Sequence, residues 1–249
     1  MHHLRDKVAV ITGGNSGIGK ATAQLFAQEG AQVIITGRRQ DVVDNAVNEI
    51  GHSAVGFVGS VDSLDDHRKL AELVESRFGG LDIYMANAGV INLTKSADVT
   101  PDDYDRHFAI NTRGVFFGVQ TIAPLIRNGG SIIVTSSLAA TKFLPDHTVY
   151  AASKAATAAF AKNWAMEFKA RRIRVNILSP GPVETEILAK LGVLEADRPN
   201  FEKQMASLIP AGRLGRPLEL ARAALFLASD AGSFVNGIEL NVDGGMNLV

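Results

Sequence analysis

Seven short runs rich in β-branched and other apolar residues punctuate the chain: KVAVIT, QVIITG, AVGFV, LDIYMA, SIIVTSS, RVNILS and IELNV. Segments of helical length separate them, which constrains the fold strongly. A hairpin needs only a few residues, whereas neighbouring parallel strands need a long crossover, usually a helix. Several runs are continuously apolar rather than alternating, as in strands buried on both faces. The rhythm predicts an α/β fold, a doubly wound parallel seven-stranded sheet with helices on both faces. Helical patterns cover 17–29, 63–78, 101–127, 148–170 and 217–228, and Thr100 before Pro101 forms an N-cap followed by proline at the first helical position. Residues 184–209 break the rhythm. Leu188, Leu191, Val193, Leu194, Phe201, Met205 and Leu208 recur there without a strand, and we read a small helical lid over a substrate site.

Composition narrows the function classes. A doubly wound unit commonly reaches 249 residues, so 1–249 is expected to form one dinucleotide-binding catalytic domain. Basic and acidic residues number 25 and 26, a net charge of -1 that offers no global field for nucleic acid or anionic lipid. There are no cysteines, which removes disulfides, thiolate metal sites and cysteine nucleophiles together. The opening MHHLRDKVAVITGG lacks the pattern of a signal peptide, and no apolar window reaches membrane-spanning length. A soluble, cytoplasmic protein without nucleic-acid or membrane partners is expected.

Directly after the first apolar run comes TGGNSGIG, Thr12 to Gly19, leading into a helical pattern. Glycines there allow a sharp turn and close approach of a pyrophosphate, whose charge the helix N-terminus favours. The strand before and helix after make this a Rossmann-like dinucleotide site, with Gly13, Asn15, Ser16, Gly17, Ile18 and Gly19 at the cofactor. An acidic residue about 20 positions further on would hold the adenosine ribose hydroxyls, whereas arginine there accommodates a 2′-phosphate. The second strand ends Thr36-Gly37-Arg38-Arg39, and Asp41 already lies at the next helix start. Guanidinium groups bind phosphate oxygens as a fork, so Arg38 and Arg39 point to NADPH, with NADH as the alternative.

Tyr150 and Lys154 stand four positions apart in an alanine-rich helical segment, on one helix face. A neighbouring ammonium favours the phenolate and brings a tyrosine toward acid-base work near neutrality. The spacing is common by chance, so its company decides.

That company is TGGNSGIG, Asn87-Ala88-Gly89, Asn111, Ser137, Tyr150-Ala-Ala-Ser-Lys154, Pro180-Gly181-Pro182 and Asp243-Gly244-Gly245. In this order and spacing, over essentially the whole chain, the motifs resemble the short-chain dehydrogenase/reductase family. The resemblance implies that Ser137, rather than adjacent Ser136, binds a carbonyl oxygen, that Tyr150 exchanges its proton, and that Lys154 holds the nicotinamide ribose and lowers the Tyr150 pKa. It implies that Asn111 holds a water of a proton relay and that no metal is needed. Val183 and Thr185 would meet the carboxamide. Two departures stand out. Ser60, before Val61, replaces the family's usual Asp beside the adenine, and Ser16 stands where NADP-using members often carry Lys or Arg.

Leu138, Phe143, Leu144, His147, Leu188, Leu191 and Leu194 are candidate walls of an apolar pocket for a medium-sized ketone, aldehyde or secondary alcohol. His147, one turn before Tyr150, is read as lining and not as catalytic. A second enzyme reading is a 3-oxoacyl-carrier-protein reductase, with Arg127, Arg171 and Arg172 meeting an acidic carrier. A reading of another class is an NADP-binding sensor or scaffold without turnover, to which the intact Tyr150 and Lys154 run counter. Family resemblance further implies a homotetramer, built on the alanine-rich helix and the C-terminal strand.

Overall fold

The computed structural model describes residues 2–51, 53–185 and 197–249. The strands are β1 (Val8–Ile11), β2 (Gln32–Gly37), β3 (Ala54–Val58), β4 (Leu81–Ala86), β5 (Ile126–Thr135), β6 (Arg174–Pro180) and β7 (Glu239–Val242). They form a seven-stranded sheet in the order β3-β2-β1-β4-β5-β6-β7, with parallel pairing throughout. The expected α/β architecture is the one observed.

Alternation along each strand divides the core. Val8 and Val10 of β1, Ile34 of β2, and Ile132 and Val134 of β5 face one layer. It is covered by α3 (Leu64–Phe78), α5 (Gly114–Ile122) and α6 (Thr148–Glu167) through Leu70, Val119 and Trp164. Ala9, Ile11, Val33, Ile35 and Ile133 face the other, which packs on α1 (Gly17–Gln28), α2 (Gln40–Ile50) and α8 (Pro217–Ala228). Period-two side chains on a sheet apolar on both faces require this double cover. Between β1 and β4 the strand order reverses, which opens a crevice at the carboxyl ends of the strands.

Three elements differ from the sequence reading. The helix expected over 101–127 begins as α4 (Pro101–His107), passes through a π-helical segment at Phe108–Arg113 and continues as α5. β5 starts at Ile126, earlier than SIIVTSS implies, because Ile126 pairs with Leu81 ahead of a bulge. α2 was legible only as the start at Asp41, although Val43, Ala46, Val47 and Ile50 form its apolar stripe against the core. Of the expected lid, α7 (Arg198–Ser207) is present, whereas Leu188, Leu191 and Leu194 lie outside the described residues.

Phe26 of α1 is fully buried in the second layer. Replacing it with alanine is expected to cost about 3–5 kcal/mol through lost transfer energy and a residual cavity. Urea denaturation of Phe26→Ala checks this; a loss below about 1 kcal/mol would show that the layer repacks freely.

Candidate active site

A single cavity of about 790 Å³ occupies the crevice. Its floor begins with the turn after β1. Thr12 accepts hydrogen bonds at its hydroxyl from the backbone N–H groups of Asn87 (2.9 Å) and Ala88 (3.0 Å), tying the ends of β1 and β4 together. The Asn87 side chain donates to the Thr12 carbonyl at 3.0 Å, so it holds the crevice shut at its base. Gly13 and Gly17 have φ of +63° and +51°, which favour glycine. Gly19 does not line the cavity. A Cβ there would come within 2.6 Å of the Asn87 amide nitrogen, so Gly19 serves by letting the turn pack against β4.

The start of α1 fits a dinucleotide. Ser16 sits at the N-cap, yet its hydroxyl makes no capping bond and no acidic residue lies in the first turn. By contrast, Ser63 and Thr100 cap α3 and α4 in the ordinary way. The first N–H groups of α1 are therefore left for an anion, and Ser16, Gly17 and Ile18 line the cavity beside Asn15. A Cβ on Gly17 would meet nothing closer than Thr185 Cγ2 at 3.4 Å, which leaves an open cradle. Arg38 and Arg39, at the end of β2, line the same cavity together with Ser60 and Val61. Ser60 is fixed through its backbone N–H, which donates to Asp66 at 2.9 Å. On the opposite side, Pro180, Gly181, Val183 and Thr185 line the wall, held by a parallel bridge between Val183 and Gly215.

The chemical groups lie at the centre. Ser137, Tyr150 and Lys154 all line the cavity alongside Ala88 and Gly89. Ser136 borders the same cavity, but its buried hydroxyl donates to the Lys154 carbonyl at 3.1 Å, which distinguishes the two adjacent serines. Ser137 Oγ accepts from Ala139 N–H at 3.2 Å, an arrangement that leaves its own hydrogen to donate. Burial pushes the Tyr150 phenol up, and a hydrogen bond from Ser137 opposes this in part. Lys154 is 4% exposed and donates to the Thr135 carbonyl at 2.9 Å. Burial draws its pKa down to about 8. A phenol lowered by Lys154 is therefore not what the protein alone displays: desolvation dominates at Tyr150.

Asn111 falls in the π-helical segment and is 0% exposed. Its Nδ2 hydrogens go to the Val90 carbonyl (2.9 Å) and Ser153 Oγ (3.0 Å), while Oδ1 accepts from Val90 N–H at 2.8 Å. With both amide hydrogens spent, the water expected at Asn111 would be held by one of its oxygens, and the side chain fixes the 89–91 strip beside Lys154. Ser153 is a site residue the sequence reading passed over, although its position three after Tyr150 puts it on the same helix face.

Leu138, Leu144 and His147 line the cavity as expected, but Phe143 does not. It is 100% exposed, on a loop that carries it away from the wall. Missed walls are Ile91, Leu93 and Met246, which no local pattern marks; Phe201, Met205 and Leu208 reach the cavity from α7 and its end.

Comparison with known proteins agrees with this geometry. A family model described as enoyl-(acyl carrier protein) reductase matches residues 13–247. The chain belongs to the short-chain dehydrogenase/reductase family. This short-chain dehydrogenase/reductase is 42% identical to oxidoreductase asL5 of Sarocladium schorii, over 99% of its own length and 98% of the relative's. It is 39% identical to the 3-oxoacyl-[acyl-carrier-protein] reductase of Thermotoga maritima, with 98% of each covered. The solved structure of a 3-ketoacyl-(acyl-carrier-protein) reductase from Brucella melitensis complexed with NADH superposes with a TM-score of 0.90 at 32% identity, covering 98% of this chain and 99% of that one. The protein is thus a nicotinamide-dependent oxidoreductase.

The depressed Lys154 pKa has a testable sign. The folded value of about 8 lies below the ordinary 10.5, so folding releases a proton between those limits. Stability from this group is fully present above pH 10.5 and is lost as pH falls toward 8. Relative to Lys154→Met, the wild type should gain up to about 3 kcal/mol across that window. Paired urea denaturation curves between pH 7.5 and 10 check this, and a constant difference between the two proteins would contradict a buried, proton-releasing Lys154.

Proposed function

We propose that the protein is an NADPH-preferring carbonyl reductase acting on a medium-sized, largely apolar ketone or aldehyde. The observation that carries this reading is the convergence of Ser137, Tyr150 and Lys154 on one cavity with the uncapped start of α1 and with Arg38 and Arg39. NADPH, when bound, supplies the hydride. Gly13, Ser16, Gly17 and Ile18 would hold its pyrophosphate, Arg38 and Arg39 its 2′-phosphate, Ser60 and Val61 its adenine, and Lys154 its nicotinamide ribose.

A phenol raised by burial stays protonated near neutrality, which suits Tyr150 to donate to the carbonyl oxygen. Ser137 donates to the same oxygen as negative charge develops there. Lys154, seated on the Thr135 carbonyl, replenishes the proton path toward Asn111. The apolar walls Ile91, Leu93, Leu144, Phe201 and Met205 favour an apolar substrate and exclude water.

The similarity to the Thermotoga maritima enzyme favours a second reading, a 3-oxoacyl thioester substrate. Of the three arginines first considered for an acidic carrier, Arg127 and Arg171 do not support it. Arg127 is paired with Asp82 at 2.8 Å and Arg171 donates to the Ala123 carbonyl at 2.7 Å. Arg127 stands near the start of β5, beside the Ile126–Leu81 pair, whereas Thr135 lines the cavity one residue beyond the Val134–Ala86 pair, roughly 20 Å further along the sheet at about 3.3 Å per residue of β4. We further infer a cytoplasmic homotetramer, supported by the exposed stripe Ala152, Ala155, Ala159 and Met166 on α6.

Steady-state assays with NADPH and NADH against apolar ketones and a 3-oxoacyl thioester test this reading. Tyr150→Phe is expected to lower kcat about 10²–10⁴-fold. Arg38→Ala is expected to raise the NADPH KM about 10–100-fold, the loss of a charge-assisted phosphate contact, while that for NADH changes little. A wild type that favours NADH would overturn the arginine assignment.

A further inference from the structure

Once the residues proposed to hold the cofactor and those flanking them are set aside, most of the remaining lining is apolar. Among the described residues there, the polar side chains are Ser137, Tyr150, His147, Thr135 and Ser136, and the last two spend their hydroxyl hydrogens on Asn87 and on the Lys154 carbonyl. Its ring centroid is 6.3 Å from that of Tyr150, so the two face one substrate volume.

Its protonation pattern is set by its neighbours. Nδ1 lies 2.5 Å from the Pro145 carbonyl oxygen. A carbonyl only accepts, so Nδ1 carries the hydrogen and Nε2 of the neutral ring is an acceptor. The ring is also firmly presented. Asp146, immediately before it, has φ of +62°, and its carbonyl accepts from Thr94 N–H at 3.0 Å. Thr148, immediately after, pairs its hydroxyl with that of Ser96 at 2.8 Å. Both bonds tie the start of α6 to the 90–96 segment, whose Ile91 and Leu93 form the facing wall. A side chain braced on both sides, with one nitrogen committed to the backbone and the other an acceptor in a largely apolar chamber, is suited to recognition.

We propose that His147 reads a hydroxyl group on the substrate, accepting its hydrogen at Nε2 while the reacting carbonyl sits on Ser137 and Tyr150. This rests on the carbonyl-reductase reading above and narrows it: the substrate class is a hydroxylated ketone, with the hydroxyl and carbonyl far enough apart to span the gap between the two rings. A site built to accept a hydrogen bond discriminates against the analogue that lacks the donor.

The test uses 1-tetralone, its ring-hydroxylated isomers and their methyl ethers as probes, with kcat/KM measured for the wild type, His147→Phe and His147→Gln. The wild type is expected to prefer at least one hydroxyl isomer over both parent and ether by about tenfold. The Phe variant, which keeps a ring without the acceptor, should bring that ratio close to one, and the Gln variant, which retains an acceptor, should restore much of it. A wild type that turns over these ketones without preferring any hydroxyl isomer overturns the proposal while leaving the reductase reading intact, as does a ratio unchanged in the Phe variant. Failure to turn over any ketone with either cofactor overturns the reductase reading itself and this proposal with it.

Discussion

The Thr12 hydroxyl accepts from two successive backbone N–H groups, those of Asn87 and Ala88, and so joins the carboxyl ends of β1 and β4. These are the strands between which the sheet reverses its order. The crossovers of a parallel sheet diverge there, and the ends of the strands would otherwise be free to separate. The Asn87 side chain adds a bond to the Thr12 carbonyl, and Gly19 lets the helix N-terminus press against the same point. The anion-binding end of α1 and the wall that carries Gly89 are thereby held at a constant separation. Everything charged or reactive in the cavity is measured from this junction.

A second brace works across α5 and α6. The π-helical segment places Asn111 so that its amide spans the Val90 backbone and Ser153, which itself bonds to the Tyr150 carbonyl at 2.7 Å. One buried side chain thus links the helix that presents Tyr150 and Lys154 to the strip beside the cofactor site. Buried amides with all their hydrogens bonded are costly to disturb, because an unpaired donor would keep its full desolvation penalty. The consequence for the proposed chemistry is positional precision at Tyr150, whose proton would have to reach a carbonyl oxygen within hydrogen-bond distance. Desolvation then sets the charge states: it keeps the phenol protonated and loosens the proton on Lys154.

Much of this was legible in the chain. The apolar runs and their spacing carry the parallel sheet, because period-two burial on both faces admits no other use for such segments. The order of glycine turn, Asn111, Ser137 and the Tyr150–Lys154 pair carries the site, since helical spacing puts Tyr150 and Lys154 on one face whatever surrounds them. Ser153 obeys the same spacing and was available to the same argument. Phe143 was misread because a loop has no period, so nothing local tells an inward side chain from an outward one.

What the sequence alone determined, then, is a parallel α/β sheet and a glycine turn between its first strand and helix, which follow from local periodicity and residue chemistry, while the candidate reacting groups came from the order of motifs that resembles the family. The tertiary structure decided which of two adjacent serines spends its hydroxyl on a backbone carbonyl, that Asn111 spends its amide hydrogens on Val90 and Ser153, that Arg127 and Arg171 stand at the far end of the sheet, and that His147 turns Nδ1 to the Pro145 carbonyl beside Tyr150. Each of these depends on contacts between segments distant in the chain. Direction and partner are properties of the packed fold, and burial, which sets the protonation of Tyr150 and Lys154, exists only once the layers have closed.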